Sequence, residues 1–162
     1  MRKSPQSARA HTNLGKALAS DGQQTEAIST YEQALELDSD LSLAYNNRAN
    51  SYADFGNFAA AIDDLTTAIN QDPENGIFFF NRGFSYKRAG MLNLALKDYK
   101  QASRLHPNDA HIINSQGGVL LEMNQYDDAL ERFNRAIEIL PHYADAHSNQ
   151  GNTFRELKDY QS

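Results

Sequence analysis

The chain has 162 residues, of which 40% are hydrophobic, and it carries a formal net charge of −6. This length and apolar content suffice for a continuous hydrophobic core. The net negative charge disfavours a general binder of the phosphate backbone, so no nucleic-acid partner is expected, although a local basic patch is compatible with it.

Several other classes of protein are disfavoured by what the sequence lacks. There are no cysteines, so there is neither a disulfide framework nor a thiolate site. No segment approaches the roughly 18 apolar residues of a membrane span. The polar N-terminal extension, residues 1–7, lacks the apolar stretch of a secretory signal. We therefore expect a cytoplasmic protein with no membrane partner.

Small residues and prolines recur at an interval of 34 residues. Several independent positions that share one period predict a solenoid of stacked helix pairs. The positions are Gly15, Ala49, Gly83, Gly117 and Gly151; Ala27, Ala61, Ala95 and Ala129; Ala34, Ala68, Ala102 and Ala136; and Pro73, Pro107 and Pro141.

The period divides the chain into four complete units and a partial fifth. We count positions within each unit from one to thirty-four, and treat the whole of 8–162 as a single array. The complete units are 8–41, 42–75, 76–109 and 110–143, and the partial unit is 144–162.

Each complete unit is predicted to contain two antiparallel helices, which we call the first and second helix. In unit two, Ala49 and Tyr52 belong to one face of the first helix. Gly56 follows, in a slot that suits a left-handed helix end and that Gly22, Gly90 and Asn124 occupy in the other units. Proline cannot continue a helix, so Pro73 ends the second helix.

The segments "YNNRANSYADFGNFAAAIDDLTTAINQDPEN" and "DALERFNRAIEILPH" and their counterparts resemble the tetratricopeptide repeat family. The resemblance covers residues 8–162. It implies an all-α, right-handed superhelical solenoid, with the first helices lining a concave face through positions two, five, six, nine, twelve and thirteen. Unit one departs from the family pattern at Ser39, where proline usually stands, and at His11, in a large apolar slot. These departures leave the N-terminal boundary of the array open.

A polar side chain at position six repeats along the predicted concave face, and two asparagines at position nine extend it. A carboxamide can both donate to and accept from a peptide unit, so a row of them can hold an extended backbone. Similar rows bind peptides in O-linked N-acetylglucosamine transferases, whose repeats the phrase "DAHSNQGNTFREL" resembles. The alternative is that these side chains only bridge neighbouring first helices. The residues are Asn13, Asn47, Asn81, Ser115 and Asn149, with Asn50 and Asn152.

Unit three carries a second candidate binding feature. Ile77, Phe80 and Phe84 fall on one side of its first helix, and an aromatic patch on a concave surface is typical of a pocket for an apolar ligand residue. Lys87 and Arg88 follow this patch and predict a ligand with acidic groups or a C-terminal carboxylate. The alternative is that Phe84 only fills space left by Gly118 in the neighbouring unit.

Other known kinds of site are disfavoured. The family's carboxylate clamp, which binds the tails of chaperones, needs a lysine and an arginine on the third of three successive first helices. Those two positions hold Ile77 and Asn81 if the clamp starts at unit one, and His111 and Ser115 if it starts at unit two. The histidines straddle turns between units, which does not suit a zinc site. No catalytic arrangement is indicated by spacing, so we predict a protein that is not an enzyme and has no metal or cofactor.

The sequence therefore predicts a non-catalytic scaffold that binds an extended peptide or a partner helix in its concave groove. One alternative is the substrate-targeting region of a larger enzyme, such as an O-linked glycosyltransferase. Another is a structural segment that self-assembles. The fifth unit lacks a second helix within the sequence, so we also expect Phe154 and Tyr160 to be exposed and to favour self-association.

Overall fold

The computed structural model describes the backbone of residues 5–160 and the side chains of residues 7–158. Over this range the chain forms helices joined by short turns. The helices are α1 Pro5–Ser20, α2 Gln24–Leu37, α3 Ser42–Asp54, α4 Phe58–Gln71, α5 Gly76–Arg88, α6 Leu92–Leu105, α7 Ala110–Glu122, α8 Tyr126–Ile139 and α9 Ala144–Tyr160. Helices α3, α5, α7 and α9 begin at the first position of their units, whereas α1 begins at Pro5, inside the stretch that we assigned to the polar extension.

The turns within the units adopt the predicted left-handed conformation. Gly22, Gly56 and Gly90 have φ values of 80°, 75° and 76°, and Asn124 has a φ of 60°. After α3, the N–H of Asn57 closes the turn by donating to the carbonyl of Tyr52 at 2.9 Å. Between units, α4, α6 and α8 each end two residues before a proline. Glycine or asparagine therefore follows the end of α1, α3, α5 and α7, and proline follows the end of α4, α6 and α8, whereas α2 ends at Leu37 before Ser39.

In units one, three and four, close packing of the two helices depends on glycine at position eight. The α-carbon of Gly83 faces the ring of Tyr99, so that a β-carbon at Gly83 would lie 2.8 Å from two ring atoms. Gly15 faces Tyr31 and Gly117 faces Phe133 in the same way. Tyr31, Tyr99 and Phe133 are almost fully buried, so this contact between glycine and an aromatic ring forms the centre of units one, three and four.

Units two and three each contain a largely buried ion pair between their first and second helices. Arg48 pairs with Asp64, and Arg82 pairs with Asp98, in each case across the interface of the first and second helix. Burial lowers the pKa of Arg82, but the hydrogen bond and charge of Asp98 outweigh it and raise that pKa above its usual value. These pairs keep the guanidinium groups ionised inside the repeat.

The packing between units shows which helices lie inside the curve. Neighbouring first helices contact one another, α1 with α3, α3 with α5 and α7 with α9, while no two neighbouring second helices pack to that extent in the described range. Because helices on the inner side of a curved stack lie closer together, the first helices line the concave face. The predicted all-α solenoid of helix pairs is confirmed.

One core position was missed by the sequence prediction. Phe78 is 1% exposed and packs with Leu65 and Ile69 of unit two, whereas the face that Ala49 and Tyr52 define in unit two corresponds to Gly83 and Tyr86 in α5. Phe79 and Tyr86 are only half-buried. Position three carries an apolar residue in every unit, and this pattern could have identified Phe78.

Candidate functional site

The concave face presents apolar side chains from two successive first helices. Ile77 and Phe84 of α5 are 56% and 41% exposed, as the sequence predicted for this face. Leu43, at position two of α3, is 59% exposed and was missed, although Ile77 occupies the same position one unit later. The three side chains give the face an apolar part that extends over units two and three.

Phe80 is less exposed than these three side chains. Its ring lies 5.4 Å from the ring of Tyr99, measured between centroids. It packs against a buried cluster that includes Val119 of α7. Phe80 is therefore half-buried between units three and four, and less exposed than Ile77 and Phe84, with which the sequence predicts that it forms a patch.

Two of the predicted ladder asparagines bridge neighbouring first helices. Asn81 Nδ2 donates to Asn46 Oδ1 at 2.8 Å, and Asn149 Nδ2 donates to Asn114 Oδ1 at 3.1 Å. Asn46 and Asn114 are buried at position five, which the family resemblance places on the concave face. The alternative, in which these side chains bridge neighbouring first helices, therefore describes Asn81 and Asn149. Each bridge uses the side-chain N–H of Asn81 or Asn149, and the side-chain carbonyl oxygen of that residue takes no part in it.

The bridge is interrupted between α5 and α7. Phe80 occupies the position that asparagine holds in units two and four, so no amide is present there to accept from unit four. Ser115, at the ladder position of α7, donates to the carbonyl of His111 in its own helix. Helices α5 and α7 also pack less extensively than the other neighbouring first helices. The asparagine bridges between first helices are thus interrupted beside α5, the helix on which Phe84 is exposed.

The remaining ladder residues lie at different depths. Asn47 is half-buried and accepts from Asn46 Nδ2 at 3.3 Å, whereas Asn13 and Asn50 are exposed. Asn13 lines a cavity of about 530 Å³ with Leu43 and other residues of units one and two. Asn152 accepts from Arg155 and lines a cavity of about 470 Å³.

The two cations of unit three have different surroundings. Lys87 Nζ forms an ion pair with Glu122 Oε1 at 2.9 Å and lies 3.6 Å from where a β-carbon on Gly118 would stand. Lys87, rather than Phe84, therefore covers Gly118. Arg88 is exposed, with its guanidinium 5.3 Å from the ring centroid of Phe58 and 5.9 Å from that of Phe84. Arg88 is thus held beside the exposed ring of Phe84.

The comparisons with known proteins agree with this architecture. One family model, described as "TPR repeat", matches residues 15–56 and 117–158, and a second, described as "Tetratricopeptide repeat", matches residues 46–110. The chain belongs to the tetratricopeptide repeat family. No curated protein sequence matches it.

Solved structures of other repeat proteins superpose on most of the chain. YrrB, described as a TPR protein with an unusual peptide-binding site, is 30% identical, with a TM-score of 0.78 over 91% of this chain and 76% of YrrB. MamA from Desulfovibrio magneticus RS-1 is 15% identical, with a TM-score of 0.87 over 96% of this chain and 88% of MamA. The first TPR of Spaghetti (RPAP3), bound to an HSP90 peptide, is 23% identical, with a TM-score of 0.71 over 75% of this chain and 96% of that one. MamA and RPAP3 show the fold alone.

Phe154 of α9 is 54% exposed, as the sequence predicted. Tyr160, for which we made the same prediction, lies outside the described side chains.

Two histidines of this repeat protein, His111 and His147, have local structural contacts. His111 Nδ1 lies 3.0 Å from the hydroxyl of Tyr143, and the two rings meet edge to face. His147 Nε2 lies 2.9 Å from the carbonyl of Pro141. In the part of the chain that the structure describes, no group of three or more potential metal ligands comes together. Among the described helices, none is long and apolar enough to cross a membrane.

Proposed function

We propose that this chain is a non-catalytic protein-interaction scaffold that binds an extended peptide or a partner helix on its concave face. The observation that carries the proposal is the set of exposed apolar side chains, Leu43, Ile77 and Phe84, on successive first helices beside half-buried amides. Exposed apolar groups within a polar surface are typical of protein-binding sites. YrrB, whose description names a peptide-binding site, offers a precedent in the same family.

The chemistry of the face defines the ligand more closely. Leu43, Ile77 and Phe84 would contact apolar side chains, and Asn47 and Asn81 would contact the ligand backbone. Arg88 would contact an acidic group, because it is exposed and already oriented by two rings. Lys87 contributes less, since Glu122 already neutralises its charge. The proposed ligand is therefore an apolar peptide with an acidic group near the residue that contacts Phe84.

Selection of short peptides from a random phage-displayed library on the full chain tests this proposal. Enriched peptides are synthesised and titrated by fluorescence anisotropy against the wild type and Phe84→Ala. Leu94→Ala is the matched control, because Leu94 is 43% exposed on the second helix of the same unit. We expect Phe84→Ala to weaken binding and Leu94→Ala to leave it unchanged. Failure to enrich any peptide, or equal effects of the two variants, would count against the concave face as the binding site.

A further inference from the structure

A cleft of about 410 Å³ lies between the second helices α6 and α8. Because the second helices are on the outer side of the curved stack, the cleft opens away from the concave face. Gln116 and Leu120 of α7 line it and are buried. The other lining residues, which we call the α6–α8 cleft together with these two, are Lys100, Ser103, Arg104, Gln125, Asp128 and Arg132.

The α6–α8 cleft carries an excess of positive charge. Lys100, Arg104 and Arg132 line it, and Asp128 is its one carboxylate. Among the described side chains, neither Lys100 nor Arg104 has an ion-pair partner. Arg132 pairs with Glu131, but the side chain of Glu131 is 68% exposed, and such exposed pairs contribute little. The chain itself therefore supplies no close counter-charge for two of the three cations.

The equivalent place between units one and two has the opposite arrangement of charges. There Arg48 occupies position seven and donates to Asp64 at position twenty-three. The hydrogen bond to Asp64 raises the pKa of Arg48 above its usual value, and the charge of Glu32, at position twenty-five of unit one, adds to this effect. Glu36 follows at position twenty-nine. In the α6–α8 cleft the same four positions hold, in this order, Gln116, Arg132, Lys100 and Arg104.

Contacts of unit three show that these positions meet in space. Arg82, at position seven, donates to Asp98 at position twenty-three, with Nε 2.6 Å from Oδ2. It also donates from Nη1 to the hydroxyl of Thr66, at position twenty-five of the preceding unit, at 3.1 Å. A side chain at position seven therefore lies between the second helices of two neighbouring units, and its charge is balanced there in units two and three.

Gln116 leaves this space open in unit four. It is shorter than the arginine of the other two units and carries no charge. It is only 3% exposed, and one N–H of its side chain donates to the carbonyl of Tyr99 at 2.9 Å. In the part of the chain that the structure describes, its other N–H has no partner. Since Gln116 lines the cleft, this N–H can donate to a ligand that the three cations attract.

We propose that the α6–α8 cleft binds a phosphate monoester. A phosphate monoester carries a charge of about −2 and three terminal acceptor oxygens. This matches donors that converge from three helices, with Lys100 and Arg104 on α6, Gln116 on α7 and Arg132 on α8. A carboxylate has one charge and two oxygens, so it would balance less of the positive charge. Asp128 weakens the attraction but does not cancel it, because three cations line the same cleft.

The ester belongs either to a phosphorylated serine of a partner protein or to a small molecule. NMR spectroscopy of the isotopically labelled full chain distinguishes them by titration with N-acetyl-O-phosphoserine N-methylamide and with inorganic phosphate. The corresponding aspartate derivative supplies a carboxylate, and constant ionic strength keeps the screening of charge equal in all three titrations. We expect the phosphoserine derivative to shift the side-chain amide of Gln116 and the backbone amides of α6 in a saturable way. Tighter binding of this derivative than of inorganic phosphate indicates a protein side chain, and equal affinity indicates a small molecule.

Two lysines of α6 give a matched pair of variants. Lys100→Gln removes a cation of the cleft, whereas Lys97→Gln makes the same change at an exposed lysine that does not line it. Both side chains lie on the surface, so both variants should fold as the wild type does. We expect Lys100→Gln to weaken binding of the phosphoserine derivative by roughly three- to tenfold, the effect of one lost hydrogen bond to a charged group. Lys97→Gln should have a much smaller effect.

The combination of Gln116→Arg and Arg132→Asp installs the ion pair of unit two in unit four. The new pair should fill the cleft, reduce its positive charge and abolish binding, and thermal unfolding shows whether this double variant folds. Four results would overturn the proposal: no saturable shift with the phosphoserine derivative, equal affinity for the aspartate derivative, equal weakening by Lys97→Gln and Lys100→Gln, or retained binding in the folded double variant. If the double variant does not fold, the two lysine variants decide. None of these results bears on the concave face, which uses other residues.

Discussion

Arg82 donates two hydrogen bonds to the carboxylate of Asp98, from Nε to Oδ2 at 2.6 Å and from Nη2 to Oδ1 at 3.0 Å. The guanidinium also lies 5.8 Å and 5.7 Å from the ring centroids of Phe79 and Tyr86, one helical turn to either side. Arg48 and Asp64 repeat the ion pair in unit two. Each of these two units therefore joins its helices through a charged group held between aromatic rings.

We predict that Asp98→Ala destabilises the fold severely. The side chain of Arg82 is only 17% exposed, and removal of its partner would leave a largely buried cation unpaired, at a cost of about 3 kcal/mol. Urea unfolding followed by circular dichroism measures the loss. Glu138→Ala is the control, because it breaks a pair with Arg135 that is exposed on both sides and should cost less than about 0.5 kcal/mol. Similar losses in the two variants would contradict a structural role for the buried pair.

Two glycines in neighbouring first helices should respond to alanine in opposite directions. In Gly83→Ala the new β-carbon would lie 2.8 Å from the ring of Tyr99 and 3.3 Å from the backbone oxygen of Ala95. Neither neighbour can move freely, so we expect a loss of about 1–3 kcal/mol from overpacking. Gly118→Ala meets only the flexible end of Lys87, and its higher helix propensity should stabilise the fold by up to about 1 kcal/mol. Thermal unfolding of both variants checks the signs, and destabilisation of equal size would show that the glycine slot has no special role.

The sequence was a good guide wherever one position repeats in every unit. The interval of 34 residues gave the starts of α3, α5, α7 and α9, and the left-handed turns at Gly22 and Asn124 follow from the intrinsic preferences of glycine and asparagine. These features depend on backbone conformation and on packing within a single unit, so the residues of that unit determine them.

The arrangement of side chains between units was harder to predict. The bond from Asn81 to Asn46 and the pair of Lys87 with Glu122 depend on how far one unit rotates against the next. The burial of Phe80 depends in addition on which rotamer brings its ring onto Tyr99. A repeat pattern specifies neither the rotation between units nor the rotamer of Phe80, so the sequence overestimated the exposure of this side chain in unit three.

Alkaline pH should destabilise the fold through Tyr31. Burial raises the pKa of Tyr31 to about 12, from its ordinary value of 10.0, and burial also raises the pKa of Tyr99. Below pH 10 the phenol is protonated in both states, so stability does not depend on it. Between pH 10 and 12 the unfolded chain loses the proton first, and the free energy of unfolding should fall as pH rises.

Urea unfolding of the wild type and Tyr31→Phe at a series of pH values tests how the free energy of unfolding depends on pH. The series runs from about pH 9 to 12, because a free phenol titrates near pH 10. The variant keeps the ring against Gly15 but has no titrating group, so its stability should fall less steeply. Tyr31→Phe combined with Tyr99→Phe should flatten the dependence further. An unchanged slope in the double variant would show that alkaline unfolding has another cause.

Substitution of Asn47 and Asn81 by alanine separates a binding role of these asparagines from their bridging role. Asn81→Ala removes the bond to Asn46 and should cost stability, while Asn47→Ala removes a weaker contact within α3. If both amides also hold a ligand backbone, each lost contact should cost roughly 0.5–1.5 kcal/mol of binding. The double variant should then bind a concave-face peptide clearly more weakly. Asn149→Ala in unit five removes the equivalent bridge to Asn114 of unit four and shows how much a bridge alone contributes to stability. A double variant that loses stability yet binds a selected peptide with unchanged affinity would make the ladder purely structural and would leave Leu43, Ile77 and Phe84 as the basis of recognition.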